Sequence, residues 1–125
     1  MNQSSFYSEE ELMQMGFKSC GAHVRISRKA SFYNVSEMCI GNHVRIDDFC
    51  IVSGKIHLGD YIHISAYTGL FGGETGVYCE DYTTISSRCA IYAESDDYSG
   101  EGMTNPTIPD EFRKITKGRV LLKKF

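Results

Sequence analysis

Four histidines and a cluster of acids are the side chains in this 125-residue sequence best suited to moving protons or holding a polar ligand. His23, His43, His57 and His63 all fall in the first half of the chain, and imidazole titrates close enough to neutrality to serve as a general base. Glu94, Asp96, Asp97 and Glu101 crowd the stretch AESDDYSGEG, where carboxylates could accept hydrogen bonds from hydroxyls or from an amine. The plainer reading of that stretch is a solvated loop whose charges oppose aggregation, with a divalent metal site a lesser option. The five cysteines (Cys20, Cys39, Cys50, Cys79 and Cys89) are odd in number and show no C-x-x-C spacing. That pattern speaks for reduced thiols and against a disulfide framework or a zinc site.

The places of these residues are set by an internal period. In one register the chain reads CGAHVR-ISRKAS-F, IGNHVR-IDDFCI-V, LGDYIH-ISAYTG-L and CEDYTT-ISSRCA-I, starting at Cys20, Ile40, Leu58 and Cys79. Spacings of 20, 18 and 21 imply a unit of three hexads with small insertions. Period six is neither the repeat of a helix nor the alternation of a single strand. It fits a solenoid with three short faces per coil, in which the first residue of each hexad points inward and stacks on its counterparts. Ile26, Ile46, Ile64 and Ile85 open the second hexads, and Phe32, Val52, Leu70 and Ile91 the third. The fifth position must also fit inside, and Val24, Ala30, Val44, Cys50, Ile62, Thr68, Thr83 and Cys89 fill it. Gly21, Gly41 and Gly59, at position two, are expected to supply unusual backbone angles at a turn. Cys20, Cys50, Cys79 and Cys89 then read as buried structural thiols.

Four segments follow: a capping helix in residues 1–15, repeat coils over 16–92, an acidic loop over 93–118 and an incomplete further coil over 119–125. Ser8 and Glu11 form a capping box for a helix from about Glu9 to Met15, whose Leu12, Met13 and Met15 are expected to cover the first coil. His23 and His43 share position four with Tyr61 and Tyr82 and read as an outer stacking ladder. His57 lies in the irregular-looking VSGKIH and reads as exposed. His63 is at position six, in one column with Arg25 and Arg45 and just before YTGLFGG.

Composition limits the partners. The formal net charge of −3 gives no broad surface for nucleic acid or anionic membrane. The first residues lack the basic and apolar regions of a signal peptide, and no apolar run approaches about 18 residues. A cytoplasmic location is the expectation.

The hexads, together with FYSEEELMQMGFKSCG, YTGLFGGETGVY and IYAESDDYSGEGMTNPTIP, resemble the hexapeptide-repeat acyltransferases, most closely the sugar O- or N-acetyltransferase branch that includes the galactoside and maltose enzymes. The resemblance implies an all-β fold, a left-handed parallel β-helix with a short N-terminal helix. It also implies a homotrimer with active sites between subunits, acetyl-CoA as co-substrate, a small carbohydrate acceptor and no metal. Thioester aminolysis or alcoholysis requires a base, and His63 is the candidate. Asp96, Asp97 and Tyr98 are the candidates for acceptor binding, because in the family a loop at this point reaches toward the acceptor site. The galactoside and maltose branch carries its catalytic histidine at the place held here by Asp96, so that histidine has no counterpart, and an acid such as Asp96 or a group outside these 125 residues is the alternative to His63 as the base. The chain stops at Phe125 in mid-hexad where relatives continue, which reads as a shortened form. Two further classes fit the same repeat: a non-catalytic assembly or binding solenoid, and a γ-class carbonic anhydrase, for which no H-x4-H pair is present.

Overall fold

The computed structural model describes residues 4–124, so Met1 to Gln3 and Phe125, the outer ends of the first and last expected segments, lie outside the described residues. The hexad columns become three parallel sheets wound as a solenoid. The first sheet lines up Ser19–Cys20, Met38–Ile40, Ile56–Leu58, Val77–Cys79 and Val120–Leu122. Arg25–Ile26, Arg45–Ile46, His63–Ile64 and Thr84–Ile85 make the second, and Ser31–Tyr33, Ile51–Ser53, Gly69–Phe71 and Ala90–Tyr92 the third. Register is kept from coil to coil, so Ile26, Ile46, Ile64 and Ile85 stand directly in line. These four are at most 4% exposed, and Val52 and Leu70 are fully buried between the third-face strands. No described helix is long and apolar enough to cross a membrane.

The inward set is larger than the first and fifth positions of two hexads. Met38, Ile56 and Val77 are also buried, and they align with Val120 two residues ahead of the first-position column. In hexad terms this is the fifth slot of the third face, hidden in the sequence by insertions. VSGKIH is accordingly not irregular at its end: Ile56–Leu58 is a strand, and His57 points outward from it. End effects correct two further expectations. Cys50 and Cys79 are buried, but Cys20 is exposed and Cys89 only half-buried, because each belongs to a terminal coil covered on one side. In the helix Glu9–Gln14 Leu12 enters the core, whereas Met13 is 82% exposed, since the neighbour of a core-facing residue on so short a helix turns away.

The corners are built differently from expectation. Gly21, Gly41 and Gly59 do not adopt positive φ; that conformation belongs to position four, at His23 (57°), His43 (56°), Tyr61 (58°) and Tyr82 (65°), and again at Phe49, Tyr67 and Arg88. An L-residue there costs about 1–2 kcal/mol, and ring stacking from coil to coil offsets part of it. His23 stacks on His43 at 4.7 Å, His43 on Tyr61 at 4.6 Å and Tyr61 on Tyr82 at 5.2 Å. Position two needs glycine for space. A Cβ on Gly41 would lie 2.3 Å from the Gly59 carbonyl oxygen. The close approach lets position three tie the coils together: Asn42 accepts from the Ala22 N–H, Asp60 from Asn42 and Asp81 from Asp60, at 2.7–2.8 Å.

The N-terminal segment is clamped by charge. Ser8 and Glu11 complete the capping box, and Glu11 also receives Arg28 through two hydrogen bonds of 2.6 and 2.7 Å. The Arg28 hydrogen bond, with the Ser8 N–H next, holds the Glu11 carboxyl at about 2, below its ordinary 4.5.

Two outcomes are expected. Gly41→Ala should destabilise the fold by more than about 1 kcal/mol, while Gly118→Ala, with no atom near its new Cβ, should stay within about 0.5 kcal/mol in denaturant titrations. A depressed carboxylate stabilises the folded state above its unfolded pKa and loses that effect as pH falls through the folded value. The Glu11 contribution should therefore fade between pH 4.5 and about 2, and Glu11→Gln should flatten that limb of the stability–pH curve.

Candidate active site

His63 projects from the second sheet between Arg45 below and Thr84 above in the same column. Its Nε2 lies 2.8 Å from Asp47 Oδ2, and Arg45 Nε donates to Asp47 Oδ1 at 2.7 Å. Sequence reasoning placed His63 over Arg45 but missed Asp47, which stands just round the corner at position two of the next hexad, one coil down. Burial disfavours the Asp47 charge, but the hydrogen bonds from Arg45 and then His63 outweigh it and hold the carboxyl below the usual range. Asp47 is thus an ionised acceptor. It fixes the imidazole by one nitrogen and leaves Nδ1 without a partner among the described residues. With its side chain 41% exposed, His63 can meet a ligand. A carboxylate-oriented imidazole with one free nitrogen can accept a proton from an attacking nucleophile.

The other histidines have structural surroundings. His23 and His43 belong to the corner stack. His57 is exposed on the first sheet, its ring stacked on Tyr78 at 5.8 Å.

The acidic segment is folded. Glu94–Asp96 pairs antiparallel with Ile115–Lys117, so the chain leaves the solenoid after the third face and returns beside its own exit. The return strand brings cations that the acid count alone conceals. Arg113 meets Asp96 at 2.7 Å, with side-chain exposures of 16% and 12%. Lys114 pairs with Asp97 at 3.2 Å and with Glu101. Lys117 reaches Glu74 at 3.2 Å and Glu94 at 3.6 Å.

At the foot of this excursion is a groove of about 550 Å³ lined by Tyr92, Glu94, Ser95, Asp96, Tyr98, Arg113 and Ile115. Two of the three expected binding residues, Asp96 and Tyr98, therefore face it. Asp97 does not line it. The Ser99 N–H donates to Asp97 Oδ1 at 2.8 Å, and this bond together with Lys114 holds the carboxyl below its ordinary value, within a turn. Tyr92, Glu94 and Arg113 were missed as groove residues; Arg113 lies 17 positions from its partner, and no period links them. The guanidinium Nε of Arg113 is buried without a hydrogen-bond partner among the described residues. Carboxylates beside two exposed tyrosines suit an amine or hydroxyls on a sugar ring. His63 does not line this groove, so one chain alone does not bring the candidate base and these residues together there.

No family model matches the chain. Among curated proteins it is 46% identical over 123 residues to an Escherichia coli dTDP-4-amino-4,6-dideoxy-D-glucose acyltransferase, covering 96% of this chain and 64% of that protein. Among solved structures it is similar to AntD, an N-acyltransferase from Bacillus cereus. The match to a variant solved with dTDP-4-amino-4,6-dideoxyglucose and coenzyme A has a TM-score of 0.94 at 52% identity, over 98% of this chain and 66% of that one. AntD solved with dTDP and 3-hydroxybutyryl-CoA matches at 53% identity and the same TM-score, over 98% and 65%. The AntD variants alter a serine and an aspartate ten residues further on.

Removing Arg113 should leave Asp96 uncompensated. Arg113→Leu is expected to raise amide exchange throughout residues 94–117 while protection of Ile46 and Ile64 in the coils is unchanged. Over nearly all of its own length the chain is similar in sequence and fold to N-acyltransferases of dTDP-linked amino sugars, and it spans just under two thirds of theirs.

Proposed function

We propose that this chain carries an acyl-CoA-dependent acyltransferase site whose acceptor is the amino group of a nucleotide-linked deoxyamino sugar. The carrying observation is the match to AntD at 52% identity with a TM-score of 0.94. The groove supports it independently, since its carboxylates and tyrosines suit hydrogen bonds from an amine on a sugar ring. The relatives' named acceptor favours nitrogen over oxygen acylation, and it favours a dTDP sugar over the galactoside- or maltose-type acceptor expected from the resemblance. Two serine–aspartate pairs here have the spacing altered in AntD, Ser86 with Asp96 and Ser87 with Asp97. Asp96 is the one that faces the groove, so the first pair is the better counterpart.

In this reading the neutral amine attacks the thioester carbonyl carbon, the C–N bond forms and the C–S bond breaks. His63 Nδ1 accepts the proton lost by nitrogen, and the coenzyme A thiolate leaves and is protonated. A homotrimer belongs to the same reading, with the two halves of the site supplied by neighbouring subunits. The outward pairs Phe49–Tyr67 and Phe71–Tyr92, stacked at 5.2 and 4.6 Å, support self-association, because contiguous exposed apolar surface marks interfaces. All five cysteines are free thiols, which supports the cytoplasmic location.

The test is release of free coenzyme A thiol from acetyl-CoA or 3-hydroxybutyryl-CoA in the presence of dTDP-4-amino-4,6-dideoxyglucose, with dTDP-glucose as the hydroxyl control. Turnover is expected with the amino sugar alone, and His63→Ala should lower kcat about 10²- to 10⁴-fold. A folded chain with no turnover on either acceptor would overturn the catalytic reading and leave the assembly module.

A further inference from the structure

We propose that the N-terminal segment, residues 4–7, is a positioning strap for His63, acting through Phe6, Arg45 and Asp47; this rests on the reading of His63 as the base. Phe6 lies ahead of the capping helix, far from His63 in sequence. The segment runs antiparallel along the lower edge of the second sheet, with Phe6 bridged to Ser27 and the Tyr7 N–H donating to the Ile26 carbonyl at 2.9 Å. The Arg28 N–H donates to the Ser5 carbonyl at 3.0 Å and Arg28 Nε to the Ser4 carbonyl at 2.8 Å, which fixes the segment at both levels.

The half-buried Phe6 ring therefore sits under two successive rungs of the arginine column. The guanidinium carbons of Arg25 and Arg45 are each 5.7 Å from its centroid, within the range of cation–π attraction. Arg45 has a side chain 50% exposed, and without a second contact it would sweep many rotamers. Held over Phe6, it presents Nε to Asp47 Oδ1, and Asp47 in turn presents Oδ2 to His63 Nε2. A carboxylate accepts, so Nε2 carries the proton and the lone pair is left on Nδ1. Asp47 and Arg45 are the charged groups set against His63, with Arg25 one coil further along the column and the uncharged Thr84 on the other side. Phe6 and Arg45 touch no reacting atom; they are positioning residues.

The test is the imidazole nitrogen spectrum of His63 in the isotope-labelled 125-residue chain, which reads the tautomer without any substrate. The native chain should show the Nε2–H tautomer as the dominant neutral form. Asp47→Asn should abolish that dominance, Phe6→Ala should weaken it, and Phe6→Tyr should restore the native pattern. Phe6→Leu keeps apolar bulk without the aromatic face, so it should melt like the native chain yet show the alanine spectrum. In turnover, Phe6→Ala should lower kcat about two- to fivefold, the size of one cation–π contact, with KM unchanged. A native tautomer pattern in both Phe6→Ala and Phe6→Leu would overturn the strap, whatever their stability. Full turnover by His63→Ala alongside a shifted tautomer in Phe6→Ala would sustain the strap and remove the base assignment instead.

Discussion

Each inward residue of this chain is buried by its counterparts one coil above and one coil below, and everything else in the structure depends on that vertical registry. A single coil has no interior, so the columns Ile26–Ile46–Ile64–Ile85 and Ile40–Leu58–Cys79 become a core only when stacked. Registry also decides the corner chemistry. With coils this close, position two admits only glycine in three of the four repeats, and position three can pass a hydrogen bond from coil to coil through Asn42, Asp60 and Asp81. Position four takes a backbone conformation unfavourable for L-residues, and stacked rings offset part of that cost.

The same registry creates the candidate chemistry. Arg45 and His63 share a column, and the corner beside them holds Asp47, so three polar side chains from two coils meet in fixed geometry. The second element of the proposed site escapes the repeat. Between the third face of one coil and the first face of the next, the chain makes an antiparallel excursion whose acids are compensated by Arg113, Lys114 and Lys117. That compensation lets Asp96 remain 88% buried at a groove wall, where a ligand amine could share its carboxylate with Arg113. A held carboxylate beside tyrosine faces suits the proposed acceptor, an amino sugar.

The solenoid and its columns were legible in the sequence because a period of six fixes which side chains face inward irrespective of length. The stacked ladder of His23, His43, Tyr61 and Tyr82 followed from position alone. Three kinds of information were not periodic and were missed. The role of position-two glycine depends on the distance between coils, which the sequence does not carry, so crowding was read as backbone freedom. Burial of Cys20 depends on what covers a terminal coil, and there the repeat has no neighbour to supply. The Asp47–His63 pair crosses a corner and a coil at once, and the Asp96–Arg113 pair lies within the segment where the period stops. These last two pairs join residues 16 and 17 positions apart, separations that differ from the repeat unit.

The most direct test of the account is a calorimetric titration of dTDP-4-amino-4,6-dideoxyglucose into the purified 125-residue chain and into its Asp96→Asn variant. The account requires saturable binding to the native chain and at least a tenfold weaker constant for the variant, the loss of one charge-assisted contact of about 1.4 kcal/mol or more. Absence of binding, or equal affinity in the two proteins, would contradict the assignment of the groove as the acceptor site.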